Sequence, residues 1–184
     1  MTPPPRPQQP TPLVSRTITT PIGLLRLVAS ADALVGIDLP GHLLSAPARE
    51  IHTGHPVLDQ ATRELDAYFA GTRHDFTVPL AAAGTPFQHR VWTALSTIPY
   101  AGTWSYGQLA KAIGRPSAAR AVGAANGKNP LPIIVPCHRV IGSSGALVGF
   151  GGGLATKRWL LAHESERAVR RDPASGPAQL RFEA

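Results

Sequence analysis

Residues 105–128 read Ser-Tyr-Gly-Gln-Leu-Ala-Lys-Ala-Ile-Gly-Arg-Pro-Ser-Ala-Ala-Arg-Ala-Val-Gly-Ala-Ala-Asn-Gly-Lys, and the reading of this stretch decides the fold. Residues 107–113 predict a short helix, which Gly114 ends because glycine enters the left-handed terminal conformation without a Cβ clash. Arg115-Pro116-Ser117 is a tight connection, with Ser117 placed to cap a second helix. That helix carries Ala118, Ala119, Ala121, Val122, Gly123, Ala124 and Ala125, all small or short. Two short helices joined by such a turn predict a helix-turn-helix. The ordinary version reads base edges with long polar side chains on its second helix. Here Arg120 is the one long side chain among them. Small residues permit close backbone approach to a curved surface such as the minor groove, with little base-specific readout. Two helices that merely pack together are the plainer alternative.

Working outward, Thr85 suits an N-cap, Pro86 a first helical position and Gln88 the third residue of a capping box. Phe87, Val91, Leu95 and Ile98 then line one face of a helix. On the other side lies Ile133-Ile134-Val135-Pro136-Cys137-His138-Arg139-Val140, which holds the only cysteine of the chain. The β-branched run predicts a short buried strand, ended by Pro136 because proline removes a ladder donor. A free thiol titrates near ~8.5, so little is thiolate at neutral pH without help. His138 and the cationic Arg139 are the neighbours able to supply it. A buried structural cysteine is the plainer reading of any lone one. Residues 149–153 form a glycine-rich, mobile loop before a last helix over 154–163. No Gly-Lys-Ser/Thr follows that loop and no dinucleotide fingerprint is present, which argues against nucleotide binding.

Residues 13–80 predict a small α+β domain. Residues 14–20, 24–29 and 34–39 read as strands between turns, and Leu58, Ala61, Leu65, Tyr68 and Phe69 as a helical stripe ending before Gly71. His52 and His55 have no cysteine or carboxylate cluster beside them and read as surface residues. A Pro-rich arm over residues 1–12 and a tail over 165–184 are expected to be loose. A single cysteine excludes an internal disulfide and fits a reducing compartment. No secretory signal or membrane span is expected, which points to the cytoplasm. The net charge is +7, and its distribution says more than its total. Residues 1–84 hold six basic and seven acidic groups, whereas residues 85–164 hold eight basic groups and the single acid Glu164. Such asymmetry is the footprint of a polyanionic partner.

Pro136-Cys137-His138-Arg139-Val140 resembles the active-site signature of the O6-alkylguanine-DNA alkyltransferases, the methylated-DNA–protein-cysteine methyltransferases. The resemblance extends over Thr85-Pro86-Phe87-Gln88, Val91-Trp92, Ile98-Pro99-Tyr100, Ser105-Tyr106, Ala118-Ala119-Arg120-Ala121-Val122-Gly123, Asn129-Pro130, Ser143-Ser144-Gly145, Gly151-Gly152-Gly153-Leu154 and Trp159-Leu160-Leu161-Ala162-His163-Glu164. It implies an α+β protein: a small N-terminal domain with an antiparallel sheet over 13–80, then a helical winged helix-turn-helix domain over 85–164 that binds DNA and holds the active site. It implies single-use transfer of an alkyl group from O6-alkylguanine in duplex DNA to Cys137, with the base flipped out from the minor groove and O4-alkylthymine as a second candidate substrate. By resemblance, His138 is the general base acting through a water, Glu164 orients it, and Asn129 ties the turn near the site. Arg120 matches the intercalating arginine and Tyr106 the tyrosine that helps rotate the nucleotide. Tyr106 with the Cys137 and Val140 carbonyls would read the guanine. Ala119, Gly123, Arg139, Ser143, Phe150 and Gly151 complete the expected DNA and substrate contacts. No cofactor or metal is implied, and the protein is expected to act as a monomer, with cooperative binding on DNA a further possibility.

The chain departs from the family where Phe150 replaces the usual tyrosine, removing a hydroxyl, and where Gly151 takes a position that often bears a side chain, which predicts a roomier alkyl pocket. Three rivals remain at this level: a non-catalytic alkylguanine-recognising DNA-binding protein, which replaces the nucleophile that this chain keeps; a helix-turn-helix regulator, which the base-blind second helix argues against; and a Cys-His hydrolase, which would turn over.

Overall fold

The computed structural model describes residues 12–171, with side chains described up to residue 168. Apart from Pro12, the expected N-terminal arm lies outside the described residues, as does the tail from residue 172.

Three strands follow the alternation read from the sequence: β1 (Val14–Thr20), β2 (Gly23–Ala29) and β3 (Leu34–Asp38). β1 and β2 form an antiparallel hairpin in which Thr20 pairs with Gly23 across Pro21-Ile22. Gly23 takes φ +106°, open to glycine alone at little cost. The sheet order is β3-β2-β1-β4. The two-residue β4 (Arg49–Glu50) runs parallel to β1, so the expected antiparallel sheet has one parallel edge. The helix α1 (Pro56–Phe69) lays Leu58, Ala61, Leu65 and Tyr68 on the sheet, all fully buried.

α2 (Pro86–Leu95) opens with the predicted capping box: Gln88 N–H donates to Thr85 Oγ1 at 3.3 Å and Thr85 N–H to Gln88 Oε1 at 2.7 Å. Ile98 lies beyond its end yet is buried with Val91 and Leu95. After β5 (Trp104–Ser105), α3 (Tyr106–Ala112) starts on a second capping box, Ser105 with Gln108. The Ser-x-x-Gln spacing was legible in the sequence. Gly114 at φ +71° ends α3 as expected. The next helix, α4 (Ala119–Gly127), differs from expectation at its start: its N-cap is Ala118, and no side chain caps it, Ser117 standing one residue too early. Instead α4 is held from the side, Trp92 Nε1 donating to Ala125 O at 2.9 Å.

The strand expected at residues 133–135 is absent. Val135 N–H returns to Leu131 O at 2.9 Å and Ile133 sits at φ +76°, so the run is a tight turn. Asn129 makes the difference: Leu131 N–H donates to its Oδ1 at 3.0 Å, and its Nδ2 donates to Val135 O at 2.8 Å. A left-handed β-branched residue costs roughly 1–2 kcal/mol. The two side-chain bonds return about 0.5–1.5 kcal/mol each, which offsets that cost, while Ile133 stays buried as it would in a strand. Beyond it come a one-turn 3-10 helix, Cys137–Arg139, and β6 (Val140–Ile141), which pairs in parallel with β5. The last helix, α5 (Gly153–Arg171), runs past His163 through the first residues of the expected tail. Its added residues, 164–171, are mostly charged or polar and contribute no apolar stripe to the sequence pattern. One buried core runs from the sheet to α5. Ile37 N–H of β3 donates to Pro130 O at 2.8 Å, tying the sheet to the turn that carries the cysteine.

Candidate active site

Cys137 is 5% exposed at the start of the 3-10 turn, its N–H bonded to Val135 O at 2.8 Å. The same Val135 carbonyl accepts from Asn129, so the asparagine braces the segment that aims the thiol. Burial pushes the thiol above its ordinary value, while the Asn129 side chain and the Lys157 ammonium pull the other way.

His138 and Glu164 are both fully buried, with Nε2 2.8 Å from Glu164 Oε1. Oε1 also accepts from Tyr68 Oη at 2.8 Å and Arg139 Nη2 at 2.9 Å, and Oε2 from Arg139 Nε at 2.9 Å and Ala101 N–H at 3.0 Å. Burial alone would raise this carboxyl, but His138 and Arg139 hold it well below the usual range. An ionised carboxylate only accepts, so the imidazole proton lies on Nε2 and Nδ1 presents a lone pair. Nδ1 is buried and makes no hydrogen bond to the protein. Burial lowers the His138 pKa against the pull of Glu164, favouring the neutral ring. The arrangement can therefore accept a proton at Nδ1 and stabilise the resulting imidazolium.

Arg139 corrects two expectations at once. Its guanidinium is spent on Glu164 and on Ile98 O, which accepts from Nη1 at 2.7 Å. At 6% exposure it neither reaches DNA nor stands as a free cation beside the thiol. A buried cation needs its partner, and Glu164 is the sole acid in this stretch. Lys157 plays the part expected of Arg139, and sequence reasoning missed it. It is fully buried, and its Nζ donates to Val140 O at 2.6 Å and Val148 O at 2.8 Å. Burial lowers its pKa to about 8, opposed by Cys137. The signal was its spacing: residues 157, 160, 161 and 164 share the buried face of α5. Tyr68, contributed by α1, was equally unannounced.

Beside Cys137 lies a cavity of about 20 Å³, also lined by Leu39, His42, Asn129, Phe150 and Gly151. The roomier pocket expected from Gly151 does not occur. His42, in the turn that follows β3, occupies the space in which a side chain at 151 would lie. Tyr106 is half-buried, and its hydroxyl donates to Val148 O at 3.4 Å. Burial and the nearby thiol raise its pKa. Val140 O, expected to read guanine, already accepts from Lys157 and keeps one lone pair.

The outer face of α4 presents Arg120, Ala121 and Ala124 to solvent, with Ala119 and Gly123 half-buried. Gly123 lies over the Tyr106 ring. Ser143 is exposed on a turn closed by Gly142 N–H and Ala146 O at 2.8 Å. Of the eight basic residues between 85 and 164, Arg139 and Lys157 are buried. Arg90, Lys111, Arg115, Arg120, Lys128 and Arg158 are exposed, and the one acid is not, so this surface carries only positive formal charge. Among the described residues, no helix is long and apolar enough to cross a membrane, and no His, Cys, Asp or Glu cluster could hold a metal ion.

Residues 13–82 match the family description "6-O-methylguanine DNA methyltransferase, ribonuclease-like domain", and residues 86–166 match "6-O-methylguanine DNA methyltransferase, DNA binding domain". A methylated-DNA–protein-cysteine methyltransferase of Mycobacterium tuberculosis is 51% identical over 154 residues, covering 83% of this chain and 93% of that one. One from Shigella flexneri is 57% identical over 102 residues, covering 55% of this chain and 60% of that one. Among solved structures, Mycobacterium tuberculosis OGT in complex with DNA superposes with TM-score 0.79 at 48% identity, covering 84% of this chain and 94% of that one.

Proposed function

This chain belongs to the 6-O-methylguanine DNA methyltransferase family, and from that premise we propose that it repairs O6-alkylguanine in duplex DNA directly, moving the alkyl group onto Cys137. The observation that carries the reading is the buried relay: Glu164 holds the proton of His138 on Nε2 and leaves Nδ1 as a base, one residue from the only thiol. His138 takes the thiol proton, through one water as in ordinary relays of this reach. The thiolate attacks the alkyl carbon, an S–C bond forms, and the C–O6 bond breaks with its electron pair leaving on guanine. Guanine takes up a proton, so in sum the thiol hydrogen is exchanged for the alkyl group. A thioether is a very poor leaving group, and the protein acts once.

O6 lies within the base stack, so the nucleotide is flipped to reach a thiol this deeply buried. Arg120, exposed on α4, fills the stack, its planar head stacking while its charge meets phosphate. Ala119 and Gly123 keep the helix thin enough for the minor groove, and Ser143 contacts the backbone. Tyr106 turns the nucleotide and meets the base. Asn129 and Lys157 act on the thiol itself. Retention of Cys137 argues against a non-catalytic alkylguanine reader.

The test is DNA carrying labelled O6-methylguanine. Label should move onto protein to a limit of one per chain and map to Cys137, with no transfer in Cys137→Ser. Transfer by that variant, or repeated turnover, would refute the reading.

A further inference from the structure

Leu39-Pro40-Gly41-His42 turns the chain directly after β3. Gly41 takes φ +73° and His42 N–H donates to Leu39 O at 2.9 Å, as a Pro-Gly type II turn requires. Asp38, 1% exposed, clamps the segment from below. Its Oδ1 accepts from Leu44 N–H at 2.8 Å and Ser45 N–H at 2.9 Å, and its Oδ2 from Arg26 Nη1 at 2.9 Å. His42 thus stands on a short tether fixed on both sides. Its ring lies against the bare backbone of Gly151, where a Cβ would collide with His42 Cδ2. The next glycine repeats the arrangement, since a Cβ on Gly152 would stand 2.9 Å from Leu39 Cδ1. The glycine run and the turn are therefore complementary, and together they wall one side of the cavity beside Cys137. At about 20 Å³ that cavity admits roughly one water-sized group.

We propose that His42 is a specificity-determining residue of the alkyl transfer: it stands in for the side chain missing at position 151 and is the wall that limits the size of the O6 substituent. This rests on the proposed function. A small alkyl group fits beside the ring, whereas a bulky one must displace a side chain whose backbone is pinned. The wall is supplied by a part of the chain that carries none of the reacting groups, so alkyl range is set separately from the Cys-His-Glu relay.

The test compares second-order rates for O6-benzylguanine and O6-methylguanine DNA in the wild type, His42→Ala, Gly151→Ala and the double variant, with Leu43→Ala as control. His42→Ala should raise the benzyl-to-methyl ratio about tenfold, the scale of one added apolar contact. Leu43, 75% exposed, should leave the ratio alone. Gly151→Ala should slow transfer, and that penalty should vanish once His42 is Ala. An unchanged ratio in His42→Ala, or a Gly151→Ala penalty that persists in the double variant, overturns the proposal. A separate arm measures affinity for free O6-benzylguanine in Cys137→Ser with and without His42→Ala. It should tighten about tenfold without the ring, and equal or undetectable affinity in both again overturns the proposal. Wild type that moves no label onto Cys137 refutes the repair reading instead, while the binding arm still decides the wall.

Discussion

One carboxylate holds this site together. Glu164 accepts five hydrogen bonds, from Tyr68, His138, Ala101 and twice from Arg139. Breaking a buried pair by removing one partner costs about 3–5 kcal/mol, so Glu164→Gln, which leaves Arg139 buried without its counter-charge, should destabilise the fold on that scale in denaturant titration. It should also raise the apparent thiol pKa and slow alkylation at neutral pH, because the imidazolium loses its stabiliser. Identical pH–rate profiles for the two proteins would remove Glu164 from the relay. The acid limb has a definite sign. The folded carboxyl is depressed, so its contribution is complete above the unfolded value near ~4.3 and is lost as pH falls toward the folded value. Wild type should lose stability along that limb, and Glu164→Gln should show a flatter one.

At the scale of elements, α4 does two jobs with opposite faces. Val122, Ala125 and Asn126 are buried against the body, where Trp92 anchors them, while Arg120, Ala121 and Ala124 are open. A helix this poor in side chains offers a nucleic acid little beyond backbone and one arginine. Arg120→Ala should therefore slow repair of duplex DNA far more than reaction with free O6-alkylguanine, because only the duplex has a stack to fill. Equal losses on both substrates would place Arg120 in chemistry or folding. The turn before the cysteine is the element that sequence periodicity misread. Residues 133–135 are as β-prone as any in the chain, yet Asn129 satisfies the backbone groups that a strand would have paired.

At the scale of the whole molecule, residues 85–164 expose six cations and no acid, an excess that favours a polyanion. Duplex affinity should fall linearly with salt on logarithmic axes. Lys128→Ala should lower that slope by about one and weaken binding uniformly across sequences. Cys137→Ser should leave both slope and affinity near wild type. An unchanged slope in Lys128→Ala would show that this cation does not face the nucleic acid.

Local signals determined much of this protein. Capping residues, Gly114, the apolar stripe of α1 and three strands announced themselves within a few residues, because propensity and capping act over one or two turns of chain. The Cys-His pair, Glu164 and the charge asymmetry were equally legible. Tertiary structure alone decided the rest. Whether Arg139 faced DNA or Glu164, whether Lys157 was buried, and whether Gly151 left space were settled by segments far away in sequence: α5 supplied the acid and the ammonium, and the turn after β3 supplied the ring of His42. A side chain's partner depends on what the fold brings beside it, and packing at native density leaves no volume unclaimed for a missing side chain to vacate.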